Sequence, residues 1–197
     1  MVDDEVGRRR DAAATKAALL SAARALFNER GFDHTTVRDI AALAGANQAL
    51  LFRYFGSKEA LFRVAMTSQG HQLLAETPPE QLVGRMLARM LSPDAASVKD
   101  NPIYALLRST GNEHTAAVFR DDLGEPFRRV LAALTDADDA KVRADLVLAW
   151  LLGIGLLRSV LDEDHFAGVD PAQITAHVLR AVATLLERVD QRPPTDA

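Results

Sequence analysis

Apolar residues return at helical spacing along most of the chain, and no run alternates with period two, so the pattern predicts helices and no strands. Leu19, Ala23, Leu26 and Phe27 line one face of a first helix over roughly 11–30, stopped by Gly31. Thr35 or Thr36 caps a short second helix ending near Ala44, and Asn47 opens a third that ends near Gly56. Ser57 caps a fourth running to about Glu76, where Thr77-Pro78-Pro79 breaks it. A fifth covers Glu80 to Leu91, and Asn101-Pro102 has the cap-plus-proline signal for a sixth. The seventh, roughly 113–134, is kinked or split at Gly124-Glu125-Pro126. An eighth spans 138–161, and Asp170-Pro171 starts a ninth that ends near Val189. The fold class expected is all-α, with about nine helices.

The first three short helices make a unit of their own. Leu51 and Phe55, with Ile40, Leu43 and Phe27, face a small core, and the opposite side of the third helix is left to Gln48 and Phe52. This is the layout of a helix-turn-helix turning at Gly45. The division expected is a head over 1–56 and a larger helical bundle over 57–197.

Charge follows that division. The net charge of −4 argues against a polyanionic partner only as an average. Residues 1–66 hold ten Lys/Arg against eight Asp/Glu, three of those acids before Gly7, and the rest of the chain holds thirteen against nineteen. A basic head on an acidic body suits a polyanion bound at one end. There are no cysteines, which excludes disulfides and thiolate metal sites. The charged start MVDDEVGRRR lacks a signal-peptide core, and the longest apolar run, Leu146 to Leu157, is too short to span a bilayer. A cytoplasmic protein with no membrane partner is expected.

The polar side chains of the head fit duplex DNA. Arg38 has the fork that pairs with guanine, and Asn47 or Gln48 can pair with adenine or another base edge. Tyr54 and Lys58 stand at the far end of the recognition helix, where a phosphate contact fixes its pose, and Thr36 offers phosphate a hydroxyl or an N–H. The Arg8-Arg9-Arg10 run reads either as a minor-groove arm or as a solvated tail.

These residues carry a resemblance. Ala25-Leu26-Phe27, Gly31-Phe32, Thr35-Thr36-Val37-Arg38-Asp39-Ile40-Ala41, Gly45, the aromatic cluster Phe52 to Phe55 and Ser57-Lys58-Glu59-Ala60-Leu61 follow one another as in the head of the TetR family of bacterial transcriptional regulators. The chain resembles that family from Thr15 to Leu61. The resemblance implies DNA contacts at Thr36, Arg38, Asn47, Gln48, Ala49, Phe52, Tyr54 and Lys58. Three positions depart from the family's usual residues: Phe52 stands for tyrosine, Ala49 for glycine and Ala46 for valine. Phe52 has only an apolar surface to offer, suited to a thymine methyl.

Two heads on a two-fold axis read a palindrome. The eighth helix is apolar nearly all round over LVLAWLLGIGLL, and the ninth puts Ile174, Val178, Ala181, Val182, Leu185 and Leu186 on one face. A homodimer packed through these two helices is expected, with Leu148, Leu152, Gly155, Val178, Val182 and Leu185 at its interface and Gly153 beside Gly155 allowing close approach. The resemblance also implies dimerisation there, and a cavity for a small effector that spreads the heads apart. Met86, Met90, Tyr104, Leu107, Arg108, Phe119, Phe127 and Trp150 are the candidate lining for a small apolar ligand, with Leu74 and His114 nearby candidates.

No enzyme signature accompanies this pattern. His34, His71, His114, His165 and His177 lack metal-ligand spacing, and neither a phosphate-binding glycine loop nor a Gly-x-Ser-x-Gly elbow occurs. No metal or cofactor is expected. The expected function is a dimeric DNA-binding regulator, a repressor released from a palindromic operator by a small apolar effector. Two alternatives stay open: an effector-independent regulator or activator of the same fold, and a helical interaction protein that does not bind DNA.

Overall fold

A computed structural model describes residues 2–92, 109, 112–160 and 168–192. Among them all regular structure is helical: α1 (Val2–Arg30), α2 (Val37–Leu43), α3 (Gln48–Phe55), α4 (Lys58–Glu76), α5 (Leu82–Leu91), α6 (Glu113–Ala117), α7 (Glu125–Ala132), α8 (Ala140–Val160) and α9 (Pro171–Val182). A 3₁₀ turn, Pro79–Gln81, leads into α5, and a π-helix, Val118–Gly124, joins α6 to α7. The predicted start of the sixth helix at Asn101-Pro102 lies outside the described residues. The ninth helix is shorter than its pattern, passing into turns after Val182.

The chain forms two compact units, residues 1–68 with 99–119, and residues 69–98 with 120–197. The division runs through α4.

In the first unit, Leu19, Ala23 and Phe27 of α1, Ile40 of α2, Leu51 of α3, and Leu61, Phe62 and Met66 of α4 bury a shared core. Its centre is aromatic: Phe62 meets Phe27, Phe32 and Phe119 edge-on at ring-centre distances of 5.0, 5.1 and 6.2 Å. Such pairs add about 0.5–1.5 kcal/mol beyond the area they bury. Buried Thr35 closes the end of α1 by donating its hydroxyl to the carbonyls of Gly31 and Leu26. A distant segment also ties down the α1–α2 loop. Ser109 Oγ accepts the Phe32 N–H at 3.0 Å, and Asn112 Nδ2 donates to Asp33 at 2.8 Å.

Gly45 makes the turn between α2 and α3 with φ +62°, a backbone region in which L side chains are strained. A methyl there would touch nothing within 4 Å, so the demand for glycine comes from conformation alone. Leu43, expected in the core, is 59% exposed instead. The α2 wheel explains the correction: Ile40, Ala41 and Ala44 already fill the inward stripe, and Leu43 falls outside it.

In the second unit, Leu82, Val83 and Leu87 of α5, Phe127 and Leu131 of α7, Val147 and Leu151 of α8, and Leu179 and Val182 of α9 form the core. Arg143 braces α8 against the segment after α9, with hydrogen bonds to Asp139, the Leu185 carbonyl and Glu187 at 2.7, 3.1 and 3.1 Å. The break expected near Pro126 takes the form of the π-helix. Pro126 has no N–H to give the carbonyl of Asp122, four residues back, and His71 Nε2 approaches that carbonyl at 2.7 Å. Gly70, one residue earlier, leaves room for Leu123 and Phe127.

Candidate nucleic-acid interface

The second helix starts with a reciprocal cap. Thr36 sits in extended backbone, its Oγ1 accepts the Asp39 N–H at 3.1 Å, and its own N–H reaches Asp39 Oδ2 at 3.3 Å. Its hydroxyl proton is given to the same carboxylate oxygen at 2.7 Å. These bonds from Thr36 hold the Asp39 carboxyl below the ordinary aspartate range. Asp39 therefore occupies both donors that the sequence offered to phosphate at Thr36.

The third helix starts the same way. Asn47 Oδ1 accepts the Ala49 N–H at 2.9 Å, which leaves only its amide NH₂ outward. Two-point pairing with adenine needs both ends of an amide, so that capacity lies with Gln48, which is exposed and makes no side-chain hydrogen bond among the described residues.

Helix geometry sets what else faces out. On α3, Gln48, Ala49, Phe52 and Arg53 are exposed, and Leu51 is buried. Phe52 keeps 49% of its surface open. Tyr54 is half-buried against the unit's core. Arg38 is exposed in the first turn of α2. Arg53 was not among the sequence candidates. It lies one turn beyond Ala49 on the same stripe, a relation the helical period already contained.

Lys58 has a defined seat. Its ammonium lies 4.2 Å from the centre of the Phe32 ring, a cation–π contact. Burial there pushes its pKa below the ordinary lysine value, against the opposite pull of Asp33 and Glu59. Among the described residues none of Lys16, Arg38, Arg53 and Lys58 has a carboxylate within ion-pair distance.

The other candidate residues separate. Met86 and Phe127 pack in the second unit's core, Met90 is half-buried on α5, and Trp150 is 41% exposed on α8. Phe119 belongs to the first unit's aromatic cluster. Tyr104, Leu107 and Arg108 lie outside the described residues. Of the expected interface residues, Val182 is fully buried in its own unit and Gly155 is buried too. Leu148, Val178 and Leu185 are half-buried, and Leu152 is 50% exposed.

The wheel of α8 accounts for this. Ala144, Val147, Leu151 and Gly155 form its buried face, while Val142, Leu146, Trp150, Leu152, Leu156 and Leu157 form a second apolar face that stays exposed. Gly153 lies on that open face, with nothing within 4 Å of an added methyl. No helix among the described residues is long and apolar enough to cross a membrane, and no group of three or more metal-ligating side chains occurs among them.

Comparison with known proteins agrees with this geometry. Residues 19–65 match the family described as bacterial regulatory proteins, tetR family, and residues 76–186 match the tetracyclin repressor-like C-terminal domain. The HTH-type transcriptional repressor Rv3405c of Mycobacterium tuberculosis is 31% identical over 175 residues, 87% of this chain and 88% of the relative. The HTH-type transcriptional regulator RutR of Escherichia coli is 47% identical over 55 residues, 28% of this chain and 26% of its own. Among solved structures, a TetR-family regulator from Streptomyces coelicolor aligns with TM-score 0.56 at 28% identity, covering 88% of this chain and 94% of that one. NalD, the secondary repressor of the MexAB-OprM multidrug efflux pump in Pseudomonas aeruginosa, shares the fold with TM-score 0.65 at 21% identity, covering 90% and 98%.

Proposed function

From the premise that the chain belongs to the TetR family of bacterial transcriptional regulators, we propose that it acts as a homodimeric repressor reading a palindromic operator. One observation carries this reading: exposed Arg38, Gln48, Phe52 and Arg53 occupy the outer surfaces of α2 and α3, and among the described residues the two arginines have no carboxylate within ion-pair distance. In the proposed division of labour, Arg38 and Gln48 read base edges, and Phe52 covers a thymine methyl. Asn47 and Thr36 hold the two helix starts, the Ala49 N–H takes part in the α3 cap, and Tyr54 and Lys58 grip phosphate beside them.

The dimer is proposed to form through the open face of α8, around Leu146, Trp150 and Leu152, with α9 alongside. That face has aliphatic and indole surface, a glycine permitting close approach, and no covering element within the described protomer. Obligate homodimer interfaces have this composition.

Release follows from linkage. A small apolar effector that binds the DNA-free state more tightly than the DNA-bound state weakens operator binding by the ratio of the two affinities, typically about 1–3 kcal/mol. Candidate contacts remain Met86, Met90 and Phe127; Trp150, on the open face of α8, leaves that set.

Gel shifts on fragments upstream of the coding sequence test this reading. Selective binding that weakens steeply with salt supports it, because phosphate contacts release counterions. Equal retention of every fragment sinks it. The fluorescence of Trp150, the single tryptophan, reports burial of the proposed dimer face.

A further inference from the structure

The first unit holds a second lysine on an aromatic ring. Lys16, exposed on α1, places its ammonium 5.7 Å from the centre of the Phe55 ring, within cation–π range. Phe55 is the last residue of α3. At about 100° per residue it lies between Leu51, which is buried, and Phe52, which is exposed, and in line with Gln48 two turns earlier. The cation from α1 therefore stands at the C-terminal end of the stripe that presents Gln48 and Phe52.

Among the described residues of the unit nothing else claims that charge. One turn away along α1 stand Ala12, Ala13, Leu19 and Leu20, none acidic. No carboxylate among the described residues pairs with Lys16. Neighbouring cations are used differently: Arg24 is bonded to the Ala65 carbonyl and Ser68, and Arg30 is paired with Glu29. An unpaired ammonium tethered to an apolar ring loses less freedom on meeting an anion than a freely rotating lysine does.

We propose that Lys16 binds a DNA backbone phosphate, extending the grip from the helix-turn-helix onto α1 and closing the C-terminal end of α3. Phe55 positions it and makes no DNA contact itself. With Lys58 seated on Phe32, two lysines from different helices then hold phosphates beside the recognition helix, each aimed by a ring. This rests on the DNA-binding reading above, with phosphate as the ligand. No base is read by Lys16.

The test is the slope of log affinity against log salt for a mixed-sequence duplex, measured on the full-length protein. Each phosphate contact contributes about 0.9 to that slope. Lys16→Gln should reduce its magnitude by about 0.9 per bound head, with an unchanged melting temperature, and Lys16→Arg should restore it. Lys141→Gln, which removes the same charge from α8, should leave it as in wild type. If wild type binds steeply with salt but Lys16→Gln matches wild type or Lys141→Gln, the Lys16 contact is overturned while the DNA-binding reading stands. If wild type itself shows no salt-dependent binding, both fall together.

Discussion

The ammonium of Lys58 rests 4.2 Å above the centre of Phe32, and the backbone N–H of that same phenylalanine is bonded to Ser109 Oγ, 77 residues further along the chain. Phe32 thus joins the charge of Lys58 to a segment outside the helix-turn-helix. Lys58→Ala should weaken duplexes of every sequence by similar factors and lower the salt slope by about 1 per head. Lys58→Arg should preserve most of both. Fluorescence anisotropy over a salt series measures it, and a sequence-selective loss would move Lys58 from phosphate to base.

Arg38→Ala should cost about 1–3 kcal/mol on the preferred operator and relax a single base position. Competition between operator variants reads this out. Unchanged discrimination would show that Arg38 does not touch a base edge.

The cap at Thr36 predicts both a stability and a pH effect. Thr36→Ala removes a side-chain acceptor and should destabilise the fold by about 1 kcal/mol, whereas Thr36→Ser keeps the hydroxyl and should retain most of the stability. Asp39 is held below the ordinary aspartate value by Thr36. Its stabilising effect is therefore fully present above that ordinary value and is lost as pH falls through the lower folded one. Asp39→Asn should remove this part of the acid dependence, read from thermal melts between neutral and strongly acid pH.

Much of the head was legible in the sequence because its signals are local. Thr35 or Thr36 as the α2 cap (Thr36 in the structure), Asn47 as the α3 cap, Gly45 as the turn and Leu51 as the buried position each follow from a residue and its neighbours within one turn. Leu43 was misjudged because an apolar residue beside an apolar stripe reads as part of it until the direction of packing is known. The occupied donors of Thr36 were equally invisible, since they depend on which rotamer Asp39 adopts. The ties from Phe32 to Ser109 and from Asp33 to Asn112 join residues about eighty apart, a relation no periodicity encodes. On α8 the sequence showed apolar residues all round but not which side the protomer would use for itself.

That unused side makes the fourth prediction. Leu146→Glu and Leu152→Glu place a charge on the open face of α8, away from the buried Ala144, Val147 and Leu151. Either should shift sedimentation toward monomer while leaving helical content intact, and operator affinity should fall with the lost avidity. Val147→Glu should instead unfold the second unit. A dimer unaffected by both exposed-face changes would place the interface elsewhere.

The central claim is that two copies of this head read one duplex together. Selection from a random duplex library with the purified full-length protein tests it most directly. The account predicts enrichment of an inverted repeat with half-sites a helical turn apart, about 34–36 Å, or a multiple of that. Recovery of a lone half-site, or of no sequence above the starting pool, would contradict it.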